Sequence, residues 1–139
     1  MNNQIEGLYM KRMMFLMLLA FTFTVVSAKK YPVIKFEKTV IDFGTFSQDE
    51  PVQKAIFKFT NVGDSKLVIN YVHTSCGCTV AEYTKDFISP GGTGQIVVTY
   101  NGSGKMPGEF KRYVQVFTNC KDELSRIFIK GYMSAAKKE

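Results

Sequence analysis

An all-β fold, built as a sandwich of two sheets, is predicted by three features of this 139-residue sequence. Turn-forming clusters recur at short intervals. The segments between them alternate apolar and polar residues with a period of two. No stretch after Ala28 carries apolar residues at helical spacing. About seven short strands, with turns every eight to twelve residues or so, suit a sandwich of immunoglobulin type, preceded here by a cleaved signal helix.

The signal comes first. Lys11-Arg12, the apolar run 13–26 and the small residue Ala28 form the basic, apolar and cleavage regions of an export signal. The run is shorter than the roughly 18 to 20 apolar residues that cross a bilayer. Residues 1–28 are therefore read as signal and 29–139 as one domain, exported to the periplasm or beyond the cell and touching a membrane only through the signal peptide. Met10-Lys11-Arg12 is itself a fitting start for such a signal, so 1–9 is read as lying upstream of the true start. No cysteine stands at the cut to accept a lipid. A domain of this size buries roughly two thirds of its unfolded surface, enough for one core.

Val33 to Phe36 and Val40 to Phe43 read as a first strand or a broken pair, with Pro32 tolerated at its edge. Ala55, Phe57 and Phe59 face one way and Ile56, Lys58 and Thr60 the other, before the turn Asn61-Val62-Gly63-Asp64. Leu67, Ile69 and Tyr71 are expected on one face of the next strand. Thr79 to Tyr83 is a short strand, and Ser89-Pro90-Gly91-Gly92 a turn. Ile96, Val98 and Tyr100 alternate again. The glycine-rich stretch 101–108 is read as a hairpin loop, followed by a strand from Phe110 to Thr118, a polar turn at 119–122, a strand from Leu124 to Tyr132 and a fraying tail. Phe57, Phe59, Leu67, Ile69, Ile96, Val98, Val114 and Val116 are the expected inter-sheet core. If each strand crosses the sandwich once, the loops at 44–50, 73–80 and 101–108 gather at one end and Cys120 lies at the other. Eight strand residues span roughly 26 Å, and a disulfide needs Cα atoms within about 7 Å, so Cys120 is a poor partner for Cys76 or Cys78.

Charge and motifs narrow the function classes. The formal net charge of +6 becomes about +5 once Lys11, Arg12 and Glu6 are discounted. Apart from short pairs such as Lys111-Arg112 and Lys137-Lys138, its lysines and arginines are spread singly along the chain, which suits a solvated surface rather than a nucleic-acid footprint, and no nucleic-acid partner is expected. One histidine and no Gly-x-Ser-x-Gly elbow leave a serine hydrolase without its machinery. The stretch from Asn101 to Met106 resembles a phosphate loop only superficially. Thr99 stands in place of the first glycine, Met106 in place of the magnesium-binding hydroxyl, and no helix follows.

The concentrated chemistry is HTSCGCTV, residues 73–80, which holds the only histidine and two of the three cysteines. His73, Cys76 and Cys78 are candidate metal ligands. A blue-copper site lacks its second histidine. Structural zinc lacks a fourth ligand unless Cys120 reaches it, while a cuprous ion on the two thiols needs fewer partners. His73 can equally be a strand-end side chain. Cys76 and Cys78 can form a small-ring, reducible bridge, with Gly77 supplying unusual backbone angles, or remain two small apolar residues in a corner of the core. The order of preference is structural thiols or a structural bridge, then metal, then catalysed thiol exchange, because no cation or helix N-terminus is evident to favour a thiolate. Cys120 is expected as a free, exposed thiol.

The strings IDFGTF, FKFTNVGDSKLVI, SCGCTV, ISPGGTGQIVVTYN, GEFKRYVQVFTN and IFIKGYM, between Val33 and Met133, resemble the bacterial exported family known as domain of unknown function 1573. The resemblance implies an immunoglobulin-like sandwich akin to hydin-like, major-sperm-protein-like and pilus-chaperone domains. With these relatives acting mostly as interaction modules, the expectation is an exported, non-catalytic binding or scaffolding module. It would have no cofactor and would take a protein or peptide partner in the cell envelope through its loop-bearing end or an exposed sheet edge. The alternative is a thiol-redox or metal-binding envelope protein using His73, Cys76 and Cys78.

Overall fold

The computed structural model describes residues 3–20 and 28–137. A helix, α1 (Asn3–Ala20), is followed by β1 (Ile34–Phe36), β2 (Val40–Ser47), β3 (Val52–Asn61), β4 (Ile69–Thr74), β5 (Thr79–Tyr83), β6 (Thr93–Asn101), β7 (Gly108–Thr118) and β8 (Leu124–Ser134). The expected signal segment begins on α1, and its residues 21–27 lie outside the described residues. No helix among the described residues is long and apolar enough to cross a membrane.

The strands form two four-stranded sheets, ordered β1-β3-β6-β5 and β2-β8-β7-β4. Among the described residues eight strands stand where about seven are expected, because the first apolar segment is broken. β1 pairs with β3 in one sheet, while β2 pairs in parallel with β8 in the other. The fold class is otherwise as the alternation predicts. All eight expected core residues are buried, none more than 4% exposed. Ile127, Ile129 and Met133 of β8 and the Leu67–Ile88 bridge between the two chain segments flanking β4 and β5 complete the interior.

A buried polar residue organises one end of that apolar layer. Asn61, fully buried at the end of β3, accepts through Oδ1 from the Val33 and Gly63 amides (3.3 and 3.1 Å) and donates through Nδ2 to the Ser65 and Ile88 carbonyls (2.7 and 2.9 Å). Its backbone also exchanges bonds with Gly91 and Gly92. With its amide capacity fully used, burial carries no unsatisfied-group penalty, and one side chain fixes three turns at this end.

Three local expectations are corrected. Tyr71 is exposed rather than aligned with Leu67 and Ile69, because the β4–β7 register slips between Ile69 and Tyr71. One extra residue reverses every later face. Val72 then packs on the core, and Tyr71 stacks outside on Phe117 with ring centroids 4.2 Å apart. Residues 44–47 are strand rather than loop. A second register break lies between Asp42 and Thr45, where Gly44 takes φ +67°, a left-handed value that glycine adopts without strain. The Gly44 N–H, 2.8 Å from Asp42 Oδ1, and then the Lys130 ammonium hold the Asp42 carboxyl below the usual carboxylate range. Finally, the connection 102–107 is not a hairpin loop, since it carries the chain from β6 in one sheet to β7 in the other.

The loops gather as the crossing count predicts. Asn101 donates its N–H to the Cys78 carbonyl (2.8 Å), Gly102 to Pro51 (2.9 Å), and Gln48 Nε2 to Lys105 (3.1 Å). Replacing Phe57 by Ala should cost about 3 to 5 kcal/mol, while Ile56→Ala, on the exposed face of the same strand, should cost less than about 1 kcal/mol. Chemical denaturation of the two variants checks the face assignment, and equal losses would reject it.

Candidate functional site

The cysteine turn forms where the chain changes sheets. Ser75 is still tied to β7, donating its N–H to the Tyr113 carbonyl (3.1 Å) and accepting the Tyr113 N–H on Oγ (3.2 Å). Thr79 already pairs with Tyr100 in the opposite sheet. Cys76, Gly77 and Cys78 must therefore cross the edge of the sandwich, and they do so in a β-turn closed by the Thr79 N–H on the Cys76 carbonyl (3.2 Å). A disulfide joins Cys76 and Cys78 across this turn, with Cα atoms 5.3 Å apart.

Beneath the loop-bearing end lies an aromatic floor. Tyr100 of β6 and Phe110 of β7 stack face to face across the two sheets, centroids 4.1 Å apart and planes within 6°. Phe46 meets both edge-on, and Phe43 packs against Phe46 and Phe110. Directly on this floor is Thr79, opposite Tyr100 and only 3% exposed. Its Oγ1 lies 3.5 Å from Cys76 Sγ and 3.8 Å from Cys78 Sγ. Disulfide sulfurs carry no proton, so the hydroxyl is the donor. Among the described residues these two sulfurs are its hydrogen-bonding neighbours.

The predicted site residues fare differently. Cys76 and Cys78 come together as a half-buried bridge. Gly77 does not have a positive φ, and a Cβ placed on it would meet nothing within 4 Å, so the expected demand for unusual backbone angles is corrected. His73 sits on the exposed outer face of β4 opposite Gln115. No group of three or more His, Cys, Asp or Glu side chains among the described residues is placed to hold a metal ion. The expected trio is not assembled, for two reasons: β4 turns His73 outward, and both sulfurs are committed to each other. Cys120 is free but not exposed. It is 8% exposed and belongs to the hydrophobic core cluster at the other end of β7, as a small apolar side chain in a tight turn can be. Thr79 was missed by the sequence reading. The signal available was strand alternation, which puts Thr79, Ala81 and Tyr83 on the inner face of β5.

β5 also presents an open edge. The Asn101 amide bonds the Cys78 carbonyl, and the Thr84 amide bonds the Gln95 carbonyl (3.2 Å). By antiparallel alternation Val80 and Glu82 then exchange bonds with β6, and the N–H and C=O of Ala81 and Tyr83 point away from it. The other three edges are less suited to accept a strand. β1 is three residues long, β2 is broken between Asp42 and Thr45, and β4 is broken between Ile69 and Tyr71. The Tyr83 hydroxyl also reaches across to the Asn70 carbonyl of β4 at 3.5 Å.

Comparison with known proteins supports the resemblance read from the motifs. The family described as protein of unknown function (DUF1573) matches residues 34–133. No curated protein matches the chain. Among solved structures, a protein of unknown function from Porphyromonas gingivalis W83 aligns with TM-score 0.63 and 22% identity over 80% of this chain and 51% of that one. The chain thus spans about half the length of that protein. The ASH/PapD-like domain 7 of human CEP192 aligns with TM-score 0.60 and 11% identity, over 84% of this chain and 96% of that domain. The YadV chaperone aligns with TM-score 0.50 and 16% identity, over 75% and 52%. At these identities the likeness establishes the immunoglobulin-type sandwich and nothing finer.

Burial of Cys120 makes its alkylation a report on unfolding. In the native protein iodoacetamide should leave Cys120 unmodified over the time in which it labels the denatured chain completely. Rapid stoichiometric labelling of Cys120 in the native state, followed by peptide mapping, would contradict its placement.

Proposed function

The chain belongs to the family described as protein of unknown function (DUF1573), and from that premise we propose that it is an exported binding module that takes up an extended peptide segment of a cell-envelope protein along β5. The observation that carries this reading is the free edge itself. Ala81 and Tyr83 hold two N–H donors and two C=O acceptors outward on the one edge strand that has no bulge and more than three residues. An extended peptide laid beside them would complete the ladder. Main-chain bonds then supply affinity, and side chains alternating along the peptide supply selectivity. Likeness to the YadV chaperone and to a PapD-like domain agrees with a sandwich that binds other chains.

Proline separates edge from fold. At residue 81 the N–H faces away from β6, so Ala81→Pro removes an outward donor while sparing the β5–β6 ladder. Screened against an array of extended peptides, the wild-type protein should retain a subset, and Ala81→Pro should lose it with the midpoint of thermal unfolding little changed. Hydrogen exchange should show the Ala81 and Tyr83 amides becoming protected when a retained peptide is added. Retention undiminished in Ala81→Pro, or protection confined to another surface, would place the binding site elsewhere.

A further inference from the structure

We propose that the Cys76–Cys78 disulfide is a thiol–disulfide exchange site that oxidises a dithiol of an incoming protein. This goes beyond the edge-binding reading and does not rest on it, because the chemistry resides in the turn. Three observations carry it. The bridge spans two residues in the chain and lies half-buried at the loop-bearing end rather than inside the core. A buried hydroxyl, Thr79 Oγ1, points at both sulfurs from 3.5 and 3.8 Å. The residue between the cysteines is a glycine that neither the backbone angle nor crowding requires, since its Cβ direction opens on empty space.

The hydroxyl decides between a structural staple and a working pair. A neutral disulfide sulfur is a weak acceptor, so for a staple the arrangement contributes little. A thiolate is a strong acceptor. Hydrogen bonds to charged groups are about twice as strong as neutral ones, and the ease with which a sulfur leaves in exchange rises as its thiolate is stabilised. Thr79 therefore donates to the state that exists only after the bridge opens. Its position is held by pairing with Tyr100 on the aromatic floor, so the donor is in place before reaction. Cys76 Sγ, the closer sulfur, is the leaving group, and Cys78 Sγ is the atom attacked.

The exchange balances as follows. A thiolate of the incoming dithiol attacks Cys78 Sγ and forms a mixed disulfide. The Cys76–Cys78 bond breaks, and its electron pair stays on Cys76 Sγ, which accepts the Thr79 O–H. The second thiolate of the incoming protein then attacks its own sulfur in the mixed disulfide and releases Cys78 as a thiolate. Two electrons pass from the dithiol to the pair, the two protons released by the dithiol are matched by those taken up on Cys76 and Cys78, and the incoming protein leaves with a disulfide. Gly77 leaves the approach to Cys78 clear for a protein backbone.

The test measures reduction of the native full-length protein, first by dithiothreitol and then by a reduced thioredoxin, with alkylation and mass mapping of Cys76 and Cys78. Wild type should open completely within minutes at millimolar dithiol, with circular dichroism unchanged. Thr79→Val, which keeps shape and loses the hydroxyl, should open about tenfold more slowly or worse. Thr79→Ser, which keeps the hydroxyl, should return to the wild-type rate and guards against a packing artefact. Gly77→Val should slow reduction by thioredoxin while leaving dithiothreitol unaffected. A pair that resists millimolar dithiol in the folded protein, or a Thr79→Val rate equal to wild type, would overturn the proposal. Neither result touches peptide retention at β5, and loss of retention in Ala81→Pro leaves these rates unchanged.

Discussion

Everything at the loop-bearing end depends on one contact, the face-to-face stack of Tyr100 on Phe110 across the two sheets. The rings come from strands on either side of the connection that carries the chain from one sheet to the other. Burying two aromatic faces, with Phe46 set edge-on against both, gives this end of the sandwich a rigid floor in addition to the area it removes from water. Tyr100 fixes Thr79 by strand pairing, Asn101 fixes Cys78 by its amide, and Gly102 draws in Pro51. A turn of three residues between two sheets would otherwise be free to fray. Here each end is held by a strand, and the disulfide sits where the two sheets meet.

The opposite end is organised by a different device. Asn61 is buried with all its amide capacity satisfied and ties three turns together, while Cys120 fills the core nearby as a small apolar residue. The two cysteine locations therefore serve different physical ends. One is a bridge at the margin of the sandwich facing the solvent side of a loop cluster. The other is a thiol removed from solvent that contributes packing. Separating them along β7 prevents the odd thiol from competing for the pair.

Much of this was readable in the chain. Period-two alternation in Ala55, Phe57 and Phe59 and in Ile96, Val98 and Tyr100 identifies inner faces because the sheet period is two and one face must be dry. The count of crossings placed the three loops together. What the alternation could not show were the register breaks. Nothing at Asn70 announces that one residue will bulge and turn Tyr71 outward, because the bulge is set by pairing with β7, a strand far away in sequence. Nor did Gly44 distinguish a bulge within a strand from a loop. Cys120 was misplaced because a polar turn in the sequence does not say which way its one apolar side chain points. At the site, the pairing of Cys76 with Cys78 stood among the alternatives. Thr79 was overlooked because its meaning depends on a neighbour in space, the sulfurs, rather than on its own pattern.

The account holds that this bridge is poised to open, with a buried donor waiting for the thiolate. Its most direct test is equilibrium rather than rate: incubating the native protein in glutathione buffers of graded reduced-to-oxidised ratio, quenching in acid and determining the fraction of Cys76 and Cys78 bridged. The account predicts a two-electron transition within ratios that glutathione alone can set, where structural disulfides of secreted proteins stay oxidised. A bridge that remains fully formed at the most reducing ratio, opening only when the fold is lost, would contradict it.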